Sequence, residues 1–236
     1  GSGRIDLTGK PLGEALYTRV ALEKDNGPYI AVCPVNHTGD RHSPSAWKMT
    51  NAMPSWSWTG CEGQKASIEV YARAARVELW LNGRIIGRKA LKNDCFAKFS
   101  VTYEPGKLEA VSYDARGCEL GRCTLTTAGQ QTQITAGPEQ SSVQAGHLCY
   151  IRLRYTDETG ITKPLARGNI KVEVDGGTLV GLGNACPYHE RSYLDCVADT
   201  YYGEALAIVR AGEGNSLTLT ADDGMYSTAV TVPVTR

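Results

Sequence analysis

The chain has 236 residues, with 25 basic and 25 acidic side chains and a formal net charge of zero. That balance excludes the clustered basic excess of a nucleic-acid binder and the polybasic patch that seeks an anionic membrane. A hydrophobic fraction of 42% excludes wholesale disorder. The longest apolar runs, such as Ala205 to Val209, fall far short of the ~20 residues that span a bilayer. The length suits two domains of roughly 80–120 residues each.

In chain order, residues 13–24 place Ala15, Leu16, Val20 and Leu22 at helical spacing just after Pro11, which predicts a helix. Asn26-Gly27-Pro28 stops it. Residues 29–35 read as a short strand, and residues 36–55, rich in Ser, Asn, His and Pro, as a loop or linker. After Trp58 the hydrophobic period becomes two. Ile68 and Val70 alternate, and so do Val77, Leu79 and Leu81. Asn82-Gly83 is a strong hairpin signal, because both residues tolerate positive φ, and Ile85 and Ile86 begin the return strand. Strands follow over 96–103, 107–113 and 118–127, with Pro105-Gly106 suited to the central positions of a type II turn. Five or six strands at such spacing predict an antiparallel sandwich of immunoglobulin type. Polar residues 128–141 mark a boundary. A second series, over 148–155, 170–174, 178–182, 205–211, 216–221 and 226–234, predicts a second sandwich of about seven strands. Gly181-Leu182-Gly183-Asn184 reads as a turn.

Eight cysteines, Cys33, Cys61, Cys95, Cys118, Cys123, Cys149, Cys186 and Cys196, are irregularly spaced and lack a CxxC pair. They read as reduced, mostly buried thiols, which favours a reducing, cytoplasmic compartment over secretion. No nucleophile elbow or phosphate loop is present. His37 and His42 share a loop, but two ligands do not make a metal site. No metal or other cofactor is expected. Glu62, Glu69, Glu78 and Glu104 sit in turns or at alternating strand positions and read as solvated faces, so no pair of acids stands out for glycosidic chemistry.

The aromatics are more informative. Trp56 and Trp58 lie two apart, so in an extended segment both face one side. They either pack a core or domain seam or form a stacking platform for a sugar ring. Trp80 faces away from Val77, Leu79 and Leu81 and is a candidate for contact with another domain.

These residues carry a resemblance. Trp56-Ser57-Trp58-Thr59-Gly60, Val77 to Gly83, Tyr103 to Ala110 and Thr126 to Gly129 together resemble the module that follows the catalytic barrel in bacterial glycoside hydrolase family 2 enzymes of β-galactosidase type. Tyr150 to Gly160, Gly181 to Pro187 and Gly203 to Arg210 resemble that family's final immunoglobulin-like domain. Gly3 to Lys10 and residues 13–24 resemble its last barrel segment and helix.

The resemblance implies an all-β chain: two immunoglobulin-like antiparallel β-sandwiches in tandem, over 51–129 and 130–236. Ahead of them, over 1–50, come a barrel remnant, with its short helix left over from a (β/α)8 barrel, and a linker. It further implies that the acid/base and nucleophile glutamates belong to a barrel upstream, since no residue here matches either motif. The fragment is then a non-catalytic support for that same-chain barrel and shapes its cleft. Two alternatives stand beside this reading: a carbohydrate-binding module using Trp56 and Trp58, and a bacterial immunoglobulin-like adhesin. No nucleic-acid or membrane partner is expected.

Overall fold

The computed structural model describes residues 4–39, 50–92, 94–188 and 191–236. The chain divides into two compact units, Gly1–Thr127 and Ala128–Arg236.

In the first unit, helix α1 (Gly13–Ala21) is shorter than its hydrophobic pattern. Its apolar stripe does not stay exposed. Leu16 and Val20 pack with Ala31, Ala52 and Tyr71. The Arg73 guanidinium donates to the carbonyls of Val20 (3.1 Å) and Ala21 (3.5 Å), placing a cation at the negative end of the helix.

Seven strands follow among the described residues: β1 (Tyr29–Val32), β2 (Lys65–Tyr71), β3 (Arg76–Leu81), β4 (Arg84–Ala90), β5 (Phe96–Thr102), β6 (Lys107–Tyr113) and β7 (Glu119–Thr126). They form two antiparallel sheets, β1-β2-β5 and β4-β3-β6-β7. Strand β1 is therefore part of this unit, because it hydrogen-bonds to β2 along its full length. Ile68, Val70, Val77, Leu79, Leu81, Phe99 and Leu108 are buried, as a period of two requires.

The β3–β4 turn is the one the sequence predicts: Asn82 (φ 51°) and Gly83 (φ 78°) both adopt positive φ. The Asn82 amide then reaches sideways. Its Nδ2 donates to the Pro105 carbonyl and its Oδ1 accepts from the Lys107 N–H, so it clamps the β5–β6 turn.

The second unit contains β8 (Gln133–Pro138), β9 (Val143–Gln144), β10 (Leu148–Thr156), β11 (Ile170–Asp175), β12 (Gly177–Gly183), β13 (Val197–Ala198), β14 (Glu204–Ala211), β15 (Ser216–Asp222) and β16 (Ser227–Thr235). One sheet is ordered β12-β14-β10-β8 and the other β13-β11-β15-β16-β9. All pairings are antiparallel except β16 with β9. Alternating side chains of β10, β14 and β15, among them Ile151, Leu153, Ala207, Val209, Leu217 and Leu219, fill the core.

Three of these strands are absent from the sequence reading. Strand β8 lies in the polar boundary stretch. It is a sheet edge, where Gly137 and Pro138 cost little because the missing donor of Pro138 is not needed. Strands β9 and β13 are two residues each, too short to show a period. Gly181 to Gly183, read as a turn, end β12 instead. Asn184 makes the turn, its side-chain oxygen accepting the Cys186 N–H.

All eight cysteines are free, but they are not mostly buried: only Cys61 and Cys149 are, while Cys118 and Cys196 are exposed. Two of the acids expected on solvated faces are also buried, Glu69 at 5% and Glu78 at 7% exposure. Glu78 survives burial by pairing with Arg88 (3.0 Å) and accepting from the Tyr113 hydroxyl (3.2 Å).

Candidate functional site

The W-x-W motif turns inward. Trp56 and Trp58 are 1% and 0% exposed, so neither offers an indole face to a sugar ring, and of the two readings the burial fits the core one. The physical reason is Tyr103. Its ring meets Trp56 edge-on at 4.8 Å. Its hydroxyl accepts the Trp58 N–H (2.9 Å) and donates to the Trp56 carbonyl (3.3 Å). Trp56 Nε1 donates to the Glu104 carbonyl, and the Thr127 hydroxyl to the Trp56 carbonyl. The irregular segment thus satisfies its own backbone while filling the sandwich end. Burial pushes the Tyr103 phenol up, so it stays protonated and keeps both roles.

Trp80 lies on the opposite face of β3 from buried Val77, Leu79 and Leu81 and is half-buried. Across from it in the sheet stand Ile85 of β4, 36% exposed, and Glu109 of β6. Glu109 is ringed by Lys107 (2.9 Å) and Arg122 (3.3 Å), which hold its carboxyl below the usual range. Among the described residues the buried Nε1 of Trp80 finds no acceptor. Trp80 and Ile85 thus form a small apolar patch among ion pairs.

A third feature escaped the sequence reading. A cavity of about 370 Å³ is lined by Glu14 and Tyr17 of α1, Thr50, Glu69 and Tyr71 of β2, and Asp94, Phe96 and Lys98 at or near β5. Tyr71 stands opposite Phe96 and Glu69 opposite Lys98 in the β2–β5 register. The Tyr71 and Phe96 rings stack at 5.9 Å, and Tyr17 meets Tyr71 edge-on at 5.9 Å. Burial, then the Glu69 carboxylate, pushes the Tyr71 phenol up, so its hydroxyl remains a donor to Glu69 Oε2 (2.6 Å). The alternation of Glu69 with Tyr71, and of Asp94 with Phe96 and Lys98, was visible in the sequence. That these strands are neighbours beneath α1 was not. Of the paired loop histidines, His37 ends a 3₁₀ turn, and His42 lies outside the described residues. Among the described residues no three His, Cys, Asp or Glu side chains are grouped to hold a metal.

Two sandwiches in tandem, the first with its W-x-W motif turned into its own core, define a β-sandwich region. Comparison with known proteins shows what each part resembles. Residues 63–121 match the model described as "Domain of unknown function (DUF4982)", and residues 133–231 match "Glycoside hydrolase family 2 C-terminal domain 5". A protein of Formosa agariphila named "Putative beta-glucuronidase" is 33% identical over 90 residues, which is 36% of this chain and 9% of that one. A solved glycosyl hydrolase family 2 member from Bacteroides cellulosilyticus superimposes with TM-score 0.89 at 27% identity, over 100% of this chain and 32% of its own. A second such structure, from Bacteroides cellulosilyticus DSM 14838, gives TM-score 0.86 at 27% identity over 98% of this chain and 32% of its own. Residues 133–231 thus match a C-terminal domain of glycoside hydrolase family 2, and the chain along its length has the fold of the C-terminal region of such enzymes. It spans about a third of the length of these solved relatives. The curated relative is named for glucuronide rather than galactoside chemistry, so the β-galactosidase type gains no support from it.

Proposed function

We propose that this chain is the non-catalytic part of a longer glycoside hydrolase, and that it buttresses a catalytic barrel and helps shape the barrel's cleft. The observation that carries this reading is the match of the entire chain to about a third of a family 2 structure. The acid/base and nucleophile residues then lie outside it. The Trp80 face is the proposed seam with the barrel, because it combines a half-buried indole, a partly exposed Ile85 and charged pairs at its margins. Exposed Ile5, Leu7 and Leu22 flanking α1 extend the apolar surface available for the same purpose. Free thiols at all eight cysteines support a reducing compartment. With Trp56 and Trp58 buried, the binding-module alternative loses its platform.

Trp80→Ala tests the seam in the full-length enzyme and in the isolated chain. A seam residue lowers the melting temperature of the full-length enzyme by more than it lowers that of the isolated chain. Equal shifts in the two would refute the seam.

A further inference from the structure

The second unit has two unlike outer faces. Inward, both of its sheets alternate as expected, with Ile151, Leu153, Ala207 and Val209 from one and Leu217 and Leu219 from the other in a single core. Outward, the sheet of β11, β15 and β16 carries what a solvated face carries: Ser216, Thr218, Thr220, Ser227 and Thr231. The sheet β12-β14-β10-β8 does not. Between their core residues, β10 turns Leu148 and Tyr150 outward and β14 turns Leu206 and Ile208 outward, all four partly exposed. Strands that are apolar on both faces are the mark of a sheet covered on both faces.

We propose that this outer face of β10 and β14 is a docking surface, and that its occupant is the rest of the parent polypeptide, beyond these 236 residues. The proposal rests on the support reading and adds to it a contact made by the second unit.

The register brings the apolar groups together. Tyr150 stands opposite Ile208, and Arg152 opposite Leu206. On the other side of β14, Gly181 stands opposite Ile208 and Gly183 opposite Leu206, and beyond β10 Gly137 stands opposite Arg152. Tyr150, Leu206 and Ile208 are therefore a ridge between positions that bear no side chain. The ring of Tyr193, itself 49% exposed, lies where a Cβ on Gly183 would be and extends the apolar surface.

The charge within this face is neutralised internally. Arg152 is 8% exposed, its Nη2 donates to Glu139 Oε1 (2.8 Å), and its Nη1 lies 3.7 Å from Glu204 Oε2. Exposed Arg210 stands at the margin, opposite Leu148. An apolar centre with a polar rim is the anatomy of a protein contact. Size selects which protein. A stable interface between separate chains takes ~800 Å² from each partner, more than this short ridge offers. A neighbour tethered on the same chain is present at an effective concentration on the order of millimolar and needs far less. The solved relative matched along this whole chain has about two thirds of its length outside the match, so such a neighbour is at hand.

Hydroxyl-radical footprinting reads side-chain exposure directly. It is applied to the full-length parent enzyme and to the 236-residue chain, with labelling followed by mass spectrometry. Labelling of Tyr150, Leu206 and Ile208 is expected to fall on the order of fivefold in the full-length enzyme, because the centre of an interface excludes water. Met225, 77% exposed in the turn between β15 and β16, is the control and labels equally in both. Ile208→Lys, at an outward position the fold tolerates, is expected to restore Tyr150 labelling in the full-length enzyme. Equal labelling of the three residues in the two proteins would overturn the proposal. Protection of Trp80 in that same experiment would leave the support reading standing, whereas equal labelling of Trp80 as well would remove both. Protection of Tyr150 that grows with the concentration of the 236-residue chain alone would also overturn the proposal, by making a second copy the occupant.

Discussion

Replacing Asp157 with Ala is expected to loosen the second unit alone. Asp157 is 2% exposed, and its carboxylate organises the turn after β10. Oδ1 accepts from the Thr159 N–H (2.9 Å), the Thr159 hydroxyl (2.8 Å) and the Ile161 N–H (2.9 Å), while Oδ2 accepts from the Gly129 N–H (2.7 Å). Thr159 is exposed, so water replaces the carboxylate for its two donors. Gly129 and Ile161 are only partly exposed, and hydrogen bonds to a charged partner contribute ~1.5 kcal/mol each at the low end. Asp157→Ala is therefore expected to cost about 3 kcal/mol, or roughly 12 °C in melting temperature for a domain of about a hundred residues. Asp157→Asn, which keeps one acceptor, falls between wild type and Ala.

The tryptophans provide the assay, because Trp56, Trp58 and Trp80 lie in the first unit and no tryptophan follows Thr127 in the sequence. Urea unfolding followed by far-ultraviolet circular dichroism should show an earlier phase in Asp157→Ala, while the tryptophan emission midpoint stays in place. An unchanged dichroism curve, or an emission midpoint that moves just as far, would refute the reasoning. The pH dependence has a definite sign. Burial pushes the Asp157 carboxyl up, but the N–H groups of Gly129, Ile161 and Thr159 and the Thr159 hydroxyl outweigh it and hold the carboxyl below its ordinary value. Its stabilisation is therefore complete above the unfolded-state pKa of about 3.9 and is lost as pH falls through the lower folded value. The gap between wild type and Asp157→Ala should close as pH falls below that range.

Tyr103→Phe removes the acceptor of the buried Trp58 N–H and the donor to the Trp56 carbonyl, and should destabilise the first unit by about 2 kcal/mol, read from the urea midpoint of tryptophan emission. No change there would mean that the W-x-W segment does not depend on the phenol. Gly106→Ala drives a Cβ into Asn82 Oδ1 at a φ of 134°, and should cost ~2 kcal/mol or more by thermal melting. A smaller cost of Gly106→Ala in an Asn82→Gly background than in the wild type would locate the clash at Asn82, and an equal cost in both would leave backbone strain as the cause.

Much of this protein is local and therefore written along the chain. The period-two alternation of Val77, Leu79 and Leu81 sets which face is buried, because side chains alternate across a strand whatever the strand pairs with. Asn82-Gly83 sets a hairpin, because few other residue pairs accept positive φ twice in succession. The helix at α1 and the existence of two sandwiches follow from the same kind of signal. Strands β9 and β13 are too short to carry it, and β8 hides its alternation behind edge-compatible Gly and Pro. What the chain alone left open depends on partners far away in sequence. Trp56 and Trp58 are core rather than platform because Tyr103, forty-five residues beyond Trp58, brings its hydroxyl to their backbone. Glu69 is buried rather than solvated because α1 and Thr50 cover that face of β2. The cavity exists because β2 and β5 pair in the register that sets Tyr71 beside Phe96 and Glu69 beside Lys98. Period and turn chemistry are properties of neighbouring residues, whereas burial and concavity belong to surfaces that meet only once the chain has folded.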